Sequence, residues 1–194
     1  MLLGFAVTIC GCRSRTLAGE SDGGDLAAVT LAVDKANGCS VTVPRGWREA
    51  AGLSKGAQLQ FENNQESAWL TVRTVGKIDV QNPSLEAYAA WYRSWLASRL
   101  EGGSEGTTVT RILPQGFKAL ETEVRGSSKG FNYVYFYSVI DSGAQYHSVV
   151  GWTLLSQFPK LQGTFRKIAD SLVVGGSDSN AGDPAARELL APAR

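Results

Sequence analysis

Three residues of this sequence have the types and the chain order of a serine hydrolase triad. Residues 126–130 read Gly-Ser-Ser-Lys-Gly, which fits the G-x-S-x-G pattern around a nucleophilic serine, and Asp141 and His147 follow in hydrolase order. In such a triad Ser128 attacks an acyl carbon, His147 accepts the serine proton, and Asp141 orients the imidazole ring.

The sequence around Ser128 argues against this triad. The pattern requires a turn from a strand into a helix, whereas Ser128 lies between two segments that both have strand character. Residues 102–106 fit the same pattern, so a match has little weight in a chain rich in Gly and Ser. If the strands form a hairpin, Asp141 lies at its opposite end, roughly 30 Å from Ser128. We therefore predict no catalytic residue and keep a serine hydrolase as a minor alternative.

The remaining reactive side chains give little support for other chemistry. His147 is the one histidine, so the several His or Cys ligands of a zinc site are not available, and we predict no metal and no cofactor. Cys39 has no neighbour in sequence that would activate it, which is typical of a buried thiol. Glu121 and Glu123 share a strand face and form a candidate carboxylate pair, but we expect both to be solvated beside Arg125.

Two groups of aromatic residues have the spacing of a binding surface. Tyr133 and Tyr135 lie on one face of a strand, and Trp91 and Trp95 lie one helical turn apart. Such rings can bind sugars, lipids or a protein partner, although they more often pack beneath a helix in the core. These four residues are the candidate ligand or partner surface.

A long hairpin at the centre of the chain positions these residues. Residues 131–140 and 144–155 flank a turn at Asp141, and both faces of the first arm are apolar, which predicts a central strand pair. Helical spacing predicts one helix with Asn82 as its N-cap, ending at Gly102, and a second helix opened by Pro159. Further strands are predicted at residues 26–33, 39–43, 57–62, 68–73, 107–113 and 117–124; each of 57–62 and 68–73 is expected to have one solvated face.

Composition limits the classes of partner. The chain has 194 residues, enough for one domain, and a formal net charge of +1 with interspersed signs. It has no basic stripe for nucleic acid and no apolar run of the roughly 20 residues that span a bilayer. We therefore predict no nucleic-acid partner.

The N-terminus has the pattern of an export signal. Residues 1–9 are apolar and lead into Cys10-Gly11-Cys12, which resembles a bacterial lipobox and implies that Cys12 becomes the acylated N-terminus. Arg13, in place of the Asp that retains such proteins at the inner membrane, favours the outer membrane. The predicted organisation is a signal peptide (1–11), a lipidated Cys with a flexible tether (12–25), a domain (26–174) and a disordered tail (175–194). An apolar N-terminus of a cytosolic protein is the alternative.

Residues 41–47, Val-Thr-Val-Pro-Arg-Gly-Trp, resemble the opening strand of the PsbP-like superfamily. The order of elements that follows is also similar, with a helix carrying Leu85 and Tyr88 and a final helix ending at residues 168–172. The resemblance covers about residues 28–174. It implies an α+β fold in which an antiparallel sheet of about six to eight strands is covered by two main helices. Members include bacterial lipoproteins of unknown function, extrinsic photosystem II subunits and a yeast protein that binds a nuclear GTPase.

Taken together, these features predict a membrane-anchored, non-catalytic lipoprotein module of the bacterial cell envelope that binds or assists another envelope protein. Membrane lipid would be contacted through the acyl chains on Cys12. The alternative is a carrier of a lipid or small ligand, with its pocket between the helix bearing Trp91 and Trp95 and the sheet face of Tyr133 and Tyr135.

Overall fold

The structure is a computed structural model that describes residues 15–16, 29–34, 38–80 and 84–175. In this part of the chain the strands are β1 (Arg15–Thr16), β2 (Val29–Asp34), β3 (Cys39–Pro44), β4 (Arg48–Glu49), β5 (Leu59–Asn63), β6 (Ala68–Gly76), β7 (Glu101–Glu105), β8 (Val109–Ile112), β9 (Lys118–Ser128), β10 (Phe131–Asp141), β11 (Gln145–Leu154) and β12 (Val173–Val174). The helices are α1 (Leu85–Ser98) and α2 (Phe158–Asp170), and one 3₁₀ turn spans Lys77–Asp79.

Eight antiparallel strands form a large sheet in the order β4-β5-β6-β11-β10-β9-β7, with β8 also pairing with β9. The central hairpin is β10–β11, whose register runs from Asp141 opposite Tyr146 to Tyr133 opposite Leu154. Both arms are apolar on both faces, because helices or strands cover the sheet on each side. The predicted α+β fold with two helices and six to eight antiparallel strands is confirmed.

A second, smaller sheet was not predicted. The expected hairpin β2–β3 is present, but it joins β1 and β12 in a separate four-stranded antiparallel sheet of order β1-β2-β3-β12. Val41 and Val43 of this sheet are buried in one cluster with Phe61 and Phe165, so the small sheet and α2 cover the same face of the large sheet. Cys12 lies outside the described residues, and the predicted domain boundaries remain predictions.

The first helix begins later than the sequence indicated. Ser84 is the N-cap, and its side-chain oxygen accepts a hydrogen bond of 3.1 Å from the backbone N–H of Ala87. The prediction that Asn82 caps the helix is therefore wrong, and Asn82 itself lies outside the described residues. Ser84 is the cap rather than Asn82 because its side chain reaches the N–H of Ala87, which has no hydrogen-bond partner within the helix.

We expect Ser84→Ala to lower the free energy of unfolding by about 1 kcal/mol, because the first turn of α1 loses its capping acceptor. Urea denaturation followed by circular dichroism measures the change. Ser156→Ala, which also removes an exposed serine hydroxyl but lies outside both helices, is the control and is expected to have little effect. Equal midpoints for the two variants would show that the cap contributes no stability.

The helix also ends earlier than predicted. Its last residue is Ser98, and Gly102 and Gly103 belong to the edge strand β7 rather than to a simple helix stop. A Cβ atom at Gly103 would lie 2.0 Å from the carbonyl oxygen of Ala97. Glycine is needed there because β7 turns back directly against the end of α1.

Helix α1 packs on the opposite face of the large sheet from α2. Its apolar residues share a buried cluster with side chains of β9, β10 and β11: Leu85, Tyr88, Ala89, Tyr92, Leu96, Leu120, Val124, Tyr137, Val139, Tyr146 and Val150. The prediction that β6 has one solvated face is therefore wrong, since Thr71 and Arg73 are buried at 4% and 5% exposure.

In the described ranges neither helix is long and apolar enough to cross a membrane.

Candidate functional site

The structure does not bring the hydrolase-like residues together. Ser128 lies opposite Phe131 at one end of β10, while His147 lies opposite Ile140 near the other end. Nine strand residues separate these positions, roughly 30 Å at the usual rise. Asp141 forms a salt bridge of 2.7 Å with Lys77. The geometry therefore gives Ser128 no general base.

His147 instead belongs to a buried chain of hydrogen bonds. The Ser142 hydroxyl donates a hydrogen bond to the carbonyl oxygen of Gln145 (3.3 Å). Its oxygen therefore accepts a hydrogen bond from Nε2 of His147 at 2.8 Å. Nδ1 of His147 then accepts from the Thr74 hydroxyl (2.9 Å), whose oxygen accepts from Sγ of Cys39 at 3.5 Å. Each group donates once along the chain, which suits a neutral imidazole. These contacts connect β3 of the small sheet to β6 and β11.

The protonation states of His147 and Cys39 indicate a structural role for this series of buried hydrogen bonds. Burial lowers the pKa of His147 from 6.5 to about 4, and the nearby carboxylates Asp34 and Asp141 offset only part of that effect. Burial likewise raises the pKa of Cys39 to about 11, so its thiol remains protonated. A base this weak does not activate the Ser142 hydroxyl at neutral pH. The buried-thiol prediction for Cys39 is confirmed, and His147 is a buried strand histidine with a hydrogen-bond partner at each ring nitrogen.

Glu121 corrects the expectation of a solvated carboxylate pair. Its side chain is 4% exposed and lies between Arg111 and Arg166, whose Nε is 3.1 Å from its Oε2. Glu123 is half-buried and accepts from Arg125 at 2.7 Å and from Nε2 of Gln162 at 3.0 Å. Strand alternation alone placed this face in solvent. It is covered because Arg111 of β8 and two side chains of α2, Gln162 and Arg166, lie over it.

These charged residues line an open groove of about 750 Å³ between α2 and the edge of the large sheet. We call it the arginine groove, defined by Arg111, Arg125, Arg166, Glu121 and Glu123. Phe136 forms part of its apolar lining, with the Arg166 guanidinium 6.0 Å from the ring centroid. Hydrogen bonds to Asp170 and then to Glu121 raise the pKa of Arg111 above its usual value. The guanidinium groups therefore stay charged, and the carboxylates of Glu121, Glu123 and Asp170 neutralise much of that charge.

On the opposite face of the sheet, a row of aromatic rings extends past the end of α1. Trp152 stacks against Tyr135 (5.6 Å between centroids) and against Trp69 (6.1 Å), and Trp69 meets Tyr133 edge-on at 6.3 Å. We call these four residues, with Phe131 at the outer end, the aromatic shelf. The stacked rings cover one another's faces, so this row does not offer the open faces on which a sugar ring stacks.

The candidate residues predicted from the sequence are divided between several places. Trp95 and Tyr135 line a cavity of about 180 Å³ at the end of α1, together with Tyr92, Arg99 and Trp152. Tyr133 lies on the aromatic shelf, whereas Trp91 packs against its own helix, 5.9 Å from the ring of Tyr88.

Sequence reasoning missed Trp69 and Trp152. Alternation places each of them on one face of its own strand, but the register that sets Trp69 opposite Trp152 joins β6 to β11, two strands that are far apart in the chain. The available signal was the abundance of aromatic residues on three strands. The order β6-β11-β10 then decides that their rings meet.

Metal ligands are not assembled in the part of the chain that the structure describes. No group of three or more His, Cys, Asp or Glu side chains is arranged there to hold a metal ion.

No known family model and no curated protein matches this sequence. Among solved structures, the chain is similar to cyanobacterial PsbP (CyanoP) from Synechocystis sp. PCC 6803, with 17% identity, 81% of this chain and 98% of that chain covered, and a TM-score of 0.55. It is also similar to the Ran-binding protein Mog1p of Saccharomyces cerevisiae, with 10% identity, 76% and 96% of the two chains covered, and a TM-score of 0.54.

LpqN of Mycobacterium tuberculosis, whose structure is described as that of a protein involved in cell envelope biogenesis, aligns over 84% of this chain and 90% of its own with 13% identity. Its TM-score of 0.49 is lower than those of the other two. At these identities the similarities to CyanoP and Mog1p concern the fold alone. The chain has a PsbP-like fold.

Proposed function

We propose that this protein is a membrane-anchored, non-catalytic module of the bacterial cell envelope and that it binds another envelope protein. The observation that carries the proposal is the aromatic shelf, which continues the buried row beneath α1 into solvent. At its outer end Phe131 is 59% exposed, and the neighbouring Leu155, which is 46% exposed, lines the same surface depression of about 420 Å³. Contiguous exposed apolar surface of this kind is typical of protein interfaces.

The rigidity of the shelf supports a protein partner. Its residues lie on β6, β10 and β11, the central strands of the large sheet, so the rings are held in place before binding and little conformational entropy is lost. The fold also serves protein binding in at least one other case, since Mog1p is described as a Ran-binding protein.

A carrier of a lipid or small ligand is the second candidate, because a cavity does exist between Trp95 and Tyr135. Its volume of about 180 Å³ is below the roughly 300–1,000 Å³ of ordinary ligand pockets. The cavity therefore favours the carrier less than the shelf favours a protein partner.

Native mass spectrometry of the protein extracted from its own membranes in mild detergent tests the binding proposal. We expect a second protein to remain bound to the wild-type chain and to be lost from a Phe131→Ser, Leu155→Ser double variant, because polar side chains disrupt the apolar contact. Ile78→Ser is the matched control, since Ile78 is 94% exposed and lies outside the shelf. A small apolar mass bound in place of a protein would favour the carrier.

The anchor is tested separately at the two cysteines of the lipobox-like segment. We expect Cys12→Ser to abolish acylation and release the chain from the membrane fraction, whereas Cys10→Ser should remain acylated and membrane-bound. Metabolic labelling with a fatty acid and fractionation of membranes measure both properties. A Cys12→Ser chain that is still labelled and still sediments with membranes would contradict the anchor.

A further inference from the structure

The arginine groove is a second candidate binding site, distinct from the aromatic shelf. It lies on the α2 face of the large sheet, opposite the face that carries the shelf, and its volume of about 750 Å³ falls within the range of ordinary binding sites. The groove is thus a separate site on the molecule.

The negative and positive side chains of the groove differ in their exposure to solvent. The carboxylates lie deep, with side-chain exposures of 4% for Glu121 and 26% for Glu123. Two of the guanidinium groups lie nearer the solvent, with side-chain exposures of 56% for Arg125 and 42% for Arg166. An incoming ligand therefore meets arginines first, although the numbers of positive and negative groups are similar.

The arginines retain unused donors in this arrangement. Arg166 contacts Glu121 through Nε, which leaves its two terminal nitrogens directed away from that bond. Arg125 uses Nε and one terminal nitrogen on the same oxygen of Glu123. A guanidinium has five N–H donors in a planar fork that matches a carboxylate, so each of these residues can bind one more acceptor. The buried glutamates hold the guanidinium groups in place beforehand.

The walls of the groove add an apolar component. Val109 on β8 is 53% exposed and, like Phe136, faces the groove between the charged side chains. A single inorganic anion would leave Val109 in water, whereas a chain that carries both acidic and apolar groups satisfies both kinds of surface.

We propose that the arginine groove binds an extended acidic peptide segment of a partner protein, with its carboxylates on Arg125 and Arg166 and an apolar side chain against Val109. This inference rests on the proposed function only in taking the partner to be a protein. Charge complementarity selects the acidic segment, and the groove is open to solvent, so a chain can enter and leave it.

The test uses the full chain in mild detergent and a fluorescent six-residue peptide, Glu-Glu-Val-Val-Glu-Glu, which presents both kinds of side chain on each face when it is extended. Binding is measured by fluorescence anisotropy at low and at physiological ionic strength. We expect saturable binding that weakens as salt is added, because the guanidinium groups are partly exposed and therefore screened. The same peptide with Gln in place of Glu is expected to bind at least roughly tenfold more weakly, since it loses the charge-assisted hydrogen bonds.

Variants then localise the site. Arg125→Gln and Arg166→Gln are each expected to weaken binding of the acidic peptide by roughly tenfold. Arg48→Gln is the matched control, because Arg48 is an exposed arginine that pairs with a glutamate, Glu62, on the distant β4 edge of the sheet. Val109→Glu should abolish binding, because it loses the apolar contact and adds a negative charge, whereas Val109→Lys loses the same contact but adds a positive charge and should weaken binding less. This pair tests the groove without removing any contact of Glu121.

Several results would overturn the proposal. They are no binding of the acidic peptide, equal binding of the Glu and Gln peptides, or an Arg48→Gln effect as large as that of Arg166→Gln. Complete competition by inorganic phosphate alone would indicate a simple anion site. A salt-sensitive dimer that Arg166→Gln disrupts would assign the groove to a second copy of the chain.

The experiments distinguish a failure of the proposed function from a failure of the proposal for the arginine groove. If the groove variants lose the peptide but the native complex survives, the groove is not needed for the main interface. If no envelope protein is found but the acidic peptide binds with the expected variant pattern, the groove remains and the proposed function falls.

Discussion

The free energy of unfolding is expected to fall by about 3 kcal/mol as the pH is lowered from 6.5 to about 4, because His147 is buried in its neutral form. The side chain is completely buried and bonded at both ring nitrogens to hydroxyl groups. Protonation makes both nitrogens donors, so the contact with Thr74 has to be reversed inside a site that disfavours charge.

The sign of this change in stability with pH follows from the pKa values of the histidine in the folded and the unfolded chain. The folded value is about 4 and the value for an unperturbed histidine is 6.5, so within this window the unfolded chain binds more protons than the folded chain. Stability therefore rises with pH across the window. The contribution is fully present above about pH 6.5 and is lost as the pH falls toward 4.

Chemical denaturation at a series of pH values measures this effect, and proton NMR of an untagged chain assigns it. The sequence contains one histidine, so its ring resonance is unambiguous. We expect that resonance to titrate well below pH 6.5, and His147→Gln, if it folds, to remove most of the slope between pH 5 and 6.5, where fewer carboxylates contribute. A histidine that titrates near its usual value in the folded protein would contradict the buried chain of hydrogen bonds.

The second large effect is expected at Gly151 on β11, where Gly151→Ala should lower the free energy of unfolding by about 2 kcal/mol. A Cβ atom at this position would lie 2.2 Å from a ring carbon of Phe165, which is completely buried. Glycine is required because the ring of Phe165 rests directly on the backbone of the central hairpin. Relief requires α2 to move away from the sheet.

Gly163→Ala is the matched control, and its expected effect has the opposite sign. Gly163 lies within α2 with open space where its Cβ would be, so alanine should stabilise the helix by roughly 0.5–1 kcal/mol. Urea midpoints measured by Trp fluorescence and by circular dichroism report both changes. If Gly151→Ala proves as stable as the wild type, Phe165 cannot lie as close to β11 as described.

Local patterns in the sequence were sufficient for the main elements of the fold. The alternation around Tyr135 predicts a strand with two apolar faces, and the spacing of Leu161, Phe165 and Ile168 predicts the buried stripe of α2. These predictions hold because the periods of strands and helices depend only on neighbouring residues. The resemblance in residues 41–47 indicated the PsbP-like arrangement as well.

Boundaries and the small sheet were harder to predict. The cap at Ser84 competes with a similar polar residue two positions earlier, and the edge strand β7 has a composition rich in Gly, Ser and Glu that suggests a loop. The β2–β3 hairpin was expected, but local sequence does not say which sheet a strand joins.

Only the tertiary structure decided which polar and aromatic residues come together. Strand alternation assigns Glu121 to a face of β9, but whether that face is wet depends on α2, which follows about forty residues later in the chain, and on Arg111 from the preceding strand. Trp69 and Trp152 likewise meet only because β6 and β11 pair in one register. The sequence by itself determined the main strands, the two helices and which side chains of a strand share a face. Burial and register determined the arginine groove and the aromatic shelf, because those properties arise from contacts between segments that are distant in the chain.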